Sequence, residues 1–413
     1  MPDDSLAQLS TPAVLINEAQ LHRNIAAMQA RADQASVAFR PHAKTHKSLG
    51  IAGLQRAAGA CGLTVAKPSE AAVFAAGGYR DLRLAYTIIG EDKHRRLAQL
   101  MTDGVRISFC VDSLYGISAA SPIYEAAGHQ VEVLIEVDAG YGRAGVCYDD
   151  HETLAALAGA IAASKGLRLV GLLTHGGHGY RPGQDETGRH HYVRAAHEEQ
   201  SRLLEVANYL HSLGYADPRH FEISVGSTPT SFAIQDPGEA DGHTSHTDVH
   251  HPTGAMQAHD AAPAAFRITE FRAGNYVFFD QTQIDIGVVS REDVAMTVLA
   301  TVVSTRNRPD GTQSAYLDAG KKVLTSDRAP IHPGFGVILH PDRRTPMDQV
   351  EITGLSEEHA WVHLSGADRL TVGQRVEIIP NHACVVAATQ DHLYRIENQS
   401  VMGTWEVTAK GMT

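Results

Sequence analysis

Apolar residues over the first 235 positions alternate between two kinds of segment. Short apolar runs typical of strands are separated by longer segments with helical spacing, such as Glu18–Gln34, in which Leu21, Ile25 and Met28 fall on one face. The predicted strands begin near residues 12, 37, 62, 82, 105, 131, 167 and 221, with one further candidate near 266. About eight strands alternating with helices predict a (β/α)8 TIM-type barrel or a doubly wound sheet, and the number favours the barrel.

The pattern changes after about Arg267. Short β-rich segments separated by turns cover residues 294–305, 314–317, 350–355, 360–364, 375–379 and 384–396. The sequence therefore predicts an α/β fold in which a barrel, residues 10–265, is followed by a C-terminal all-β domain, residues 266–405. Residues 1–9 are a candidate to pack on the second domain. The change falls across residues 236–265, which are rich in Gly, Pro, Ala, Asp and His.

Composition and charge narrow the class of protein. The 413 residues are 43% hydrophobic and 20% charged, as in ordinary soluble globular proteins. A net charge of −12 argues against non-specific binding to nucleic acid or to an anionic membrane. No apolar run is long enough to span a bilayer, and residues 1–10 lack a signal pattern, so we expect a cytoplasmic protein. The four cysteines include no CxxC pair and are too few for a disulfide framework.

The segment Arg40–Lys47 lies where a predicted strand ends and a predicted helix begins. In α/β proteins that edge carries the chemistry. Lys44 is flanked there by two histidines and by Lys47, and such crowding of positive charge, together with partial burial, lowers the pKa of a lysine. A neutral amine is what Schiff-base chemistry requires, so Lys44 is a candidate nucleophile. A basic loop that binds an anion, or nothing, is the alternative.

Gly140, Gly142 and Gly145 form a G-x-G-x-x-G pattern after a strong strand, which is one signature of a dinucleotide site. The context argues against that interpretation, because the next strand does not end in an acidic residue and several strands come earlier in the chain. A glycine-rich turn at the mouth of a barrel is favoured instead, with Arg143 directed toward a site.

Two later strand ends carry further candidates. His175 ends one strand, and a glycine-rich turn leads from it to Tyr180; the glycines allow a ligand to approach the backbone, and the two rings can contact an aromatic ligand. Gly226, Ser227 and Thr228 follow a late strand and offer backbone N–H groups and hydroxyls to a phosphate. The alternatives are a flexible loop with incidental histidines and an ordinary strand-to-helix cap.

A third group of candidates lies in the predicted β domain. On a strand, residues i and i+2 face the same side, so His382 and Cys384 can present an imidazole and a thiolate to one metal ion, a pairing that suits zinc. Two ligands do not close a site, and a buried cysteine beside a turn histidine is the alternative. The irregularly spaced histidines of residues 243–259 are interpreted as part of a surface loop rather than a metal site.

Taken together, these motifs resemble the fold-type III pyridoxal 5′-phosphate (PLP) enzymes, which have an alanine-racemase-like barrel followed by a β domain. Within that class the chain is similar to the D-serine dehydratase and D-threonine aldolase group. The matching segments run in order along nearly the whole chain and are Thr11–Ala13, Arg40–Lys47, Gly177–Tyr180, Gly226–Pro229, Ala273–Asp280, Asp318–Gly320 and Pro380–Cys384.

The resemblance implies a role for each candidate. Lys44 is implied to attach PLP covalently, and His175 and Tyr180 to lie by its pyridine ring. The phosphate is implied to be held by Gly226, Ser227, Thr228 and Tyr276, with Arg143 in the wider cofactor site. His382 and Cys384 are implied to bind a divalent metal. Zinc is the expected metal, with manganese as the alternative.

The implied function is that of a PLP- and metal-dependent lyase acting on β-hydroxy D-amino acids. In the family that the chain resembles, His-x-Cys is typical of dehydratases and His-x-Asp of aldolases, so the expected activity is D-serine dehydratase, giving pyruvate and ammonia. The alternative is a D-threonine or D-3-hydroxyaspartate aldolase, giving glycine and an aldehyde. An amino-acid racemase and a non-catalytic PLP carrier are further alternatives, although a racemase does not need the His382–Cys384 pair and a carrier does not need the β domain.

The resemblance also implies a homodimer. Because His382 is far from Lys44 along the chain and the family places the second domain across a subunit interface, the active site is expected to combine the barrel of one chain with the β domain of the other. The stretch of residues 236–265 is longer and richer in histidine than the resemblance implies, and it leaves the substrate preference open.

Overall fold

The chain alternates strands and helices through its first half and is rich in strands after Met296. The computed structural model describes residues 5–181, 190–234, 265–342 and 345–411. Its strands are β1 (Ala13–Asn17), β2 (Ala38–Phe39), β3 (Leu63–Val65), β4 (Asp81–Thr87), β5 (Arg106–Val111), β6 (Val131–Asp138), β7 (Val146–Cys147), β8 (Leu167–Leu173), β9 (Glu222–Val225), β10 (Glu270–Phe271), β11 (Met296–Asn307), β12 (Gln313–Leu317), β13 (Val337–Ile338), β14 (Val350–Leu355), β15 (Ala360–Leu364), β16 (Arg375–Ile379), β17 (His392–Glu397) and β18 (Ser400–Glu406).

The helices fill the intervals between the strands of the first half and are short in the second. They are α1 (Glu18–Gln34), α2 (Leu49–Ala58), α3 (Pro68–Ala76), α4 (Glu91–Thr102), α5 (Leu114–Ala126), α6 (His151–Ala162), α7 (His190–Ser212), α8 (Thr228–Ser231), α9 (Gln281–Asp285), α10 (Lys321–Leu324) and α11 (Ala383–Thr389). None of the helices in the described ranges combines the length and apolar character that a bilayer crossing requires.

Parallel strands from β2 to β10 form a closed barrel. The sheet runs in the order β2-β10-β9-β8-β6-β5-β4-β3, with β7 as a short addition beside β6. A parallel bridge between His42 and Thr64, just beyond β2 and within β3, joins the two ends of the sheet. Eight parallel strands with helices outside are the arrangement of a (β/α)8 barrel, so the predicted fold class is confirmed.

The strand near residue 12 was expected in the barrel, and that expectation is wrong. β1 pairs antiparallel with β11 and parallel with β17 in the second sheet. The eighth barrel strand is instead β10, which lies beyond the expected boundary at residue 265 and pairs with both β2 and β9. An apolar run identifies a strand, but it does not specify which distant strand will provide the hydrogen bonds.

The inside of the barrel is layered. Next to an apolar layer of Cys110, Leu134, Val170 and Leu173 lies a layer of charged side chains. Its centre is Glu270, which accepts hydrogen bonds from Arg83 at 2.6 Å and from Arg40 at 2.7 Å, while Arg40 also donates to Asp81 at 2.6 Å. Barrel interiors are usually filled with branched aliphatic residues, so ion pairs take the place of part of that apolar core here.

The second sheet runs in the order β14-β15-β12-β11-β1-β17-β18, with β16 paired to β11 and β13 paired to β16. The described part of the N-terminal segment packs on this sheet. Leu6 clusters with apolar residues of β1 and β11, and the guanidinium of Arg375 donates to the carbonyls of Leu6 and Leu9. The β domain therefore combines β1, from the N-terminal part of the chain, with the strands that follow the barrel.

Candidate active site

Lys44 lies at the carboxyl-terminal edge of the barrel, in the single turn Ala43–Thr45 that follows β2. The turn is anchored from both sides. The N–H of His42 donates to the carbonyl of Ala273 beyond β10 at 2.9 Å, and the N–H of Lys44 donates to Nδ1 of His42 at 3.3 Å. The Lys44 side chain is exposed to solvent, although the surrounding protein atoms partly desolvate its amine. Lys44 therefore follows a barrel strand, and its role as the reactive amine stays a prediction.

Electrostatics distinguish Lys44 from the neighbouring Lys47. Burial lowers the pKa of Lys44, and the guanidinium groups of Arg143 and Arg272 add to that effect against the opposing charge of Cys384. Lys47 instead forms an ion pair with the buried carboxylate of Glu70, and its backbone adopts a left-handed φ of 51°. Lys44 is therefore the amine of this segment that can be neutral and free to react.

The turn after β9 is the predicted phosphate cradle. Gly226 has a φ of 126°, and a Cβ atom there would lie 2.9 Å from the backbone N of Arg272, so glycine is required. The N–H of Gly226 already donates to Glu199 at 2.6 Å, and the N–H of Ser227 donates to Thr230 at 3.0 Å. The Ser227 hydroxyl donates to the carbonyl of Gly176 at 3.0 Å.

Thr228 differs from the other residues of the cradle. Its hydroxyl is buried beside the Tyr180 hydroxyl and makes no hydrogen bond of normal geometry with any described residue. A buried hydroxyl without a partner is costly unless a ligand supplies one. Of the predicted phosphate residues, Thr228 therefore has the donor that is most clearly left for an anion.

The residues assigned to the pyridine ring lie beside this cradle. His175 donates through Nδ1 to the carbonyl of Gly226 at 3.2 Å. Burial, followed by the charges of Lys44 and Arg143, holds the pKa of His175 well below its usual range, so its imidazole is neutral. The ring of Tyr141 lies edge-on to His175, with centroids 5.8 Å apart, and it also carries the guanidinium of Arg143 5.6 Å from its centroid.

Tyr276 is not brought to the cradle. Its side chain is fully buried, its hydroxyl accepts a hydrogen bond from Gln55 of α2 at 2.9 Å, and its ring packs edge-on to Phe39. Gln55 in turn lies 3.2 Å from Nε2 of His46. The structure therefore places Tyr276 between the barrel wall and α2, contrary to the expectation that its hydroxyl binds the phosphate.

His382 and Cys384 were expected on a strand, and that expectation is wrong. His382 is the residue before α11, and Cys384 lies in its first turn. Asp280 explains the helix, since its carboxylate accepts a hydrogen bond from the N–H of Ala383 at 2.9 Å and fixes the start of α11. The two side chains nevertheless come within hydrogen-bond reach of each other, so the predicted pair is formed by a helix start rather than by strand alternation.

Neighbouring side chains hold this pair in place. Nδ1 of His382 lies 2.5 Å from a carboxylate oxygen of Asp327, and Sγ of Cys384 lies 3.2 Å from the hydroxyl of Thr45. Burial disfavours a charge on His382, but the Cys384 sulfur and the Asp327 carboxylate outweigh it and raise the pKa of His382 to about 11. Among the described residues, no third His, Cys, Asp or Glu joins the pair to make a group of three.

The contact between Cys384 and Thr45 lies within one chain. The pair therefore reaches the lysine turn without a second subunit, contrary to the expectation that a partner's β domain supplies it. The homodimer itself stays a prediction. The histidines of residues 243–259 lie outside the described residues.

Sequence reasoning missed four side chains of this region, namely Thr45, Glu199, Asp280 and Asp327. Thr45 directly follows Lys44 in the Arg40–Lys47 motif, so its place next to the candidate lysine was visible in the sequence. Asp280 ends the Ala273–Asp280 segment that matched the family, whereas nothing in the local sequence marks Glu199 and Asp327.

The residues present fit both groups that such a site would hold. The cradle offers to a phosphate the Thr228 hydroxyl, which lies beside the Tyr180 hydroxyl, next to an amine whose pKa is lowered. The metal pair offers an imidazole whose other nitrogen is held by a carboxylate, which is the usual way in which a ligating histidine is oriented. A thiolate and an imidazole form a donor set that suits zinc.

The barrel, the lysine after its first strand and the following β domain define a fold-type III PLP-dependent enzyme. Comparison with known families agrees: residues 16–240 match the family described as "Alanine racemase, N-terminal domain", and residues 295–396 match "Putative serine dehydratase domain". The chain belongs to the D-serine dehydratase and D-threonine aldolase family of PLP-dependent lyases, whose barrel is of the alanine racemase type.

Named relatives match the chain over nearly its whole length. D-threo-3-hydroxyaspartate dehydratase from Delftia sp. (strain HT23) is 33% identical over 98% of each chain. D-threonine aldolase from Arthrobacter sp is 30% identical over 100% of this chain and 96% of its own, and D-serine dehydratase from Dictyostelium discoideum is 25% identical over 96% of each.

A solved structure of the Delftia dehydratase superposes on this chain with a TM-score of 0.81 and 32% identity, covering 97% of this chain and 98% of its own. A cysteine-to-alanine mutant of that enzyme is described as being in the metal-free form.

Proposed function

We propose that this chain is a PLP- and divalent-metal-dependent dehydratase acting on β-hydroxy D-amino acids. The observation that carries the proposal is the position of His382 and Cys384 beside the Lys44 turn, through the 3.2 Å contact between Cys384 and Thr45. That contact supports the proposal, because it would bring two candidate metal ligands next to the candidate amine. D-threo-3-hydroxyaspartate is the first candidate substrate, because a relative of that name aligns over nearly the full chain, and D-serine is the second.

The chain's own residues have separable tasks in this proposal. Lys44, with its lowered pKa, supplies the amine that attaches the cofactor and can afterwards move the proton of the substrate α-carbon. PLP, when bound, stabilises negative charge at that carbon. Thr228 would donate to the cofactor phosphate, and His175, whose imidazole is neutral, would contact the ring without adding a positive charge beside it.

The metal pair acts on the other substrate carbon. His382 and Cys384 would hold the ion, with Asp327 orienting the imidazole and Thr45 contacting the sulfur. A divalent metal, when bound, acts as a Lewis acid on a hydroxyl group. Two protein ligands leave positions open for the substrate, and the soft donor set supports zinc over manganese.

An aldolase is the second candidate, since the Arthrobacter relative of that name is 30% identical. Cys384 in the place where the aldolases of this family typically carry an aspartate favours the dehydratase. Product analysis decides between them. The purified chain, supplied with PLP and zinc, is incubated with D-threo-3-hydroxyaspartate, D-serine and D-threonine in turn. A keto acid with ammonia supports the dehydratase, glycine with an aldehyde would establish the aldolase, and an L-amino acid would establish a racemase.

A further inference from the structure

Glu199 is a buried carboxylate on α7 that the proposed chemistry does not use. Its side chain is 1% exposed and reaches the carboxyl-terminal edge of the barrel. One oxygen accepts hydrogen bonds from the N–H of Gly176 at 2.9 Å and from the N–H of Gly226 at 2.6 Å. The Thr230 hydroxyl also bonds to the carboxylate. A single side chain on the outer helix layer thus joins two loops of the barrel.

These two loops carry the predicted cofactor contacts. The loop after β8 begins with His175 and Gly176, and the turn after β9 contains Gly226 and Thr228. Two direct bonds already cross between the loops, from His175 to the carbonyl of Gly226 at 3.2 Å and from Ser227 to the carbonyl of Gly176 at 3.0 Å. In those bonds the carbonyls of Gly226 and Gly176 are the acceptors. The N–H groups of the same two glycines donate to Glu199, which completes the connection between the loops.

The position of the Glu199 carboxylate restricts residue 176 to glycine. A Cβ atom at Gly176 would lie 2.6 Å from Oε2 of Glu199, so a larger residue there would displace the side chain. Because the N–H of Gly226 is given to Glu199, it is not free for a phosphate. Glu199 therefore determines both where the cradle sits and which of its donors stay available.

We propose that Glu199 is a positioning residue that fixes the phosphate cradle relative to the His175 loop, and so sets the preference of the site for a phosphorylated cofactor. It does not touch the cofactor itself. The inference rests on the proposed binding of PLP at Lys44. N–H bonds to a buried carboxylate are stronger than those to a neutral acceptor, and a buried N–H that loses its partner is costly. Loss of Glu199 should therefore release the cradle.

The test compares the dissociation constants of PLP and of pyridoxal, which lacks the phosphate. Both are measured by absorbance titration of cofactor-free protein. Glu199→Asp keeps the charge but is one methylene too short, and Glu199→Gln keeps the length without the charge. Glu205→Gln on the same helix is the matched control, since Glu205 also loses a charge but is exposed to solvent.

We expect Glu199→Asp to bind PLP about tenfold or more weakly and Glu199→Gln about threefold to tenfold more weakly, with little change in the affinity for pyridoxal. The control should bind both compounds as the wild type does. An unchanged ratio of the two affinities would overturn the inference, whether both affinities stay constant or both fall together, because a merely structural role affects both alike. If Glu199→Asp does not fold, the ratio for Glu199→Gln decides.

Failure of the underlying cofactor assignment would look different. In that case the wild-type protein itself would not bind PLP, or borohydride would trap it at a lysine other than Lys44. Wild-type trapping at Lys44 together with an unchanged affinity ratio in the variants would refute the role of Glu199 alone.

Discussion

Replacing Glu270 by glutamine should destabilise the protein through the charged layer beneath the active site. Glu270 is 4% exposed and accepts hydrogen bonds from Arg83, Arg40 and Ser224 at 2.6, 2.7 and 2.6 Å. In the Glu270→Gln variant, two buried guanidinium groups lose their shared counter-charge. Breaking a buried ion pair by removing one partner costs about 3–5 kcal/mol.

The pH dependence of unfolding gives a second measure of how much the Glu270 ion pairs stabilise the protein. Burial alone would raise the pKa of Glu270, but the charges of Arg83 and Arg40 outweigh it and lower the pKa from 4.5 to about 2. At about 1.4 kcal/mol per unit of pKa, the difference between the unfolded and folded pKa values corresponds to about 3 kcal/mol of stability. Because the folded pKa is the lower one, this stability is present above pH 4.5 and is lost as the pH falls toward 2.

The assay is urea unfolding of the cofactor-free protein at pH 7 and at pH 4. We expect Glu270→Gln to lower the free energy of unfolding by about 3 kcal/mol at pH 7, and by about 1 kcal/mol less than that at pH 4, where the unfolded wild type begins to take up the proton. Glu91→Gln is the control, because Glu91 forms an exposed pair with Arg95 and such pairs are worth less than about 1 kcal/mol. A cost for Glu270→Gln no larger than that of the control would refute the reasoning.

Three further changes test the active site. Lys44→Ala should abolish the absorbance of bound cofactor and its trapping by borohydride, whereas trapping at Lys47 in that variant would show that the wrong lysine was chosen. Cys384→Ala, or chelation of the wild type, should abolish elimination while the cofactor spectrum stays, and full turnover of D-serine by metal-free enzyme would contradict the metal assignment. Thr45→Val should weaken zinc binding in a chelator competition by about tenfold or more, as loss of an outer-shell partner does, and an unchanged zinc affinity would show that the contact with Cys384 is incidental.

The sequence predicted the barrel and most of its catalytic edge because both depend on local signals. Strands alternating with helices predict parallel pairing, and the carboxyl ends of parallel strands meet at one edge. Lys44, His175 and Gly226 each follow a strand, so their convergence could be expected from the sequence. The same reasoning misassigned β1, since its apolar pattern is equally suited to either sheet and only its pairing with β11 and β17 decides.

Long-range contacts account for the remaining errors. The valine-containing run Ala383–Thr389 has the composition of a strand, but Asp280, 103 positions away, caps it as a helix. The tyrosine of the Ala273–Asp280 motif was assigned by resemblance, and its real partner, Gln55, belongs to a different helix. The hydrophobic pattern could not predict the buried ion pairs of Glu270 with its two arginines, because charged residues in a strand usually indicate a face exposed to solvent.

Thr45 connects two halves of the chemistry that are 339 positions apart in the sequence. Its neighbour Lys44 would hold the cofactor, and its own hydroxyl contacts the sulfur of Cys384. Since both contacts belong to one chain, separating two subunits would not by itself separate the lysine from the metal pair. A requirement for a dimer would therefore have to arise from something other than the supply of His382 and Cys384.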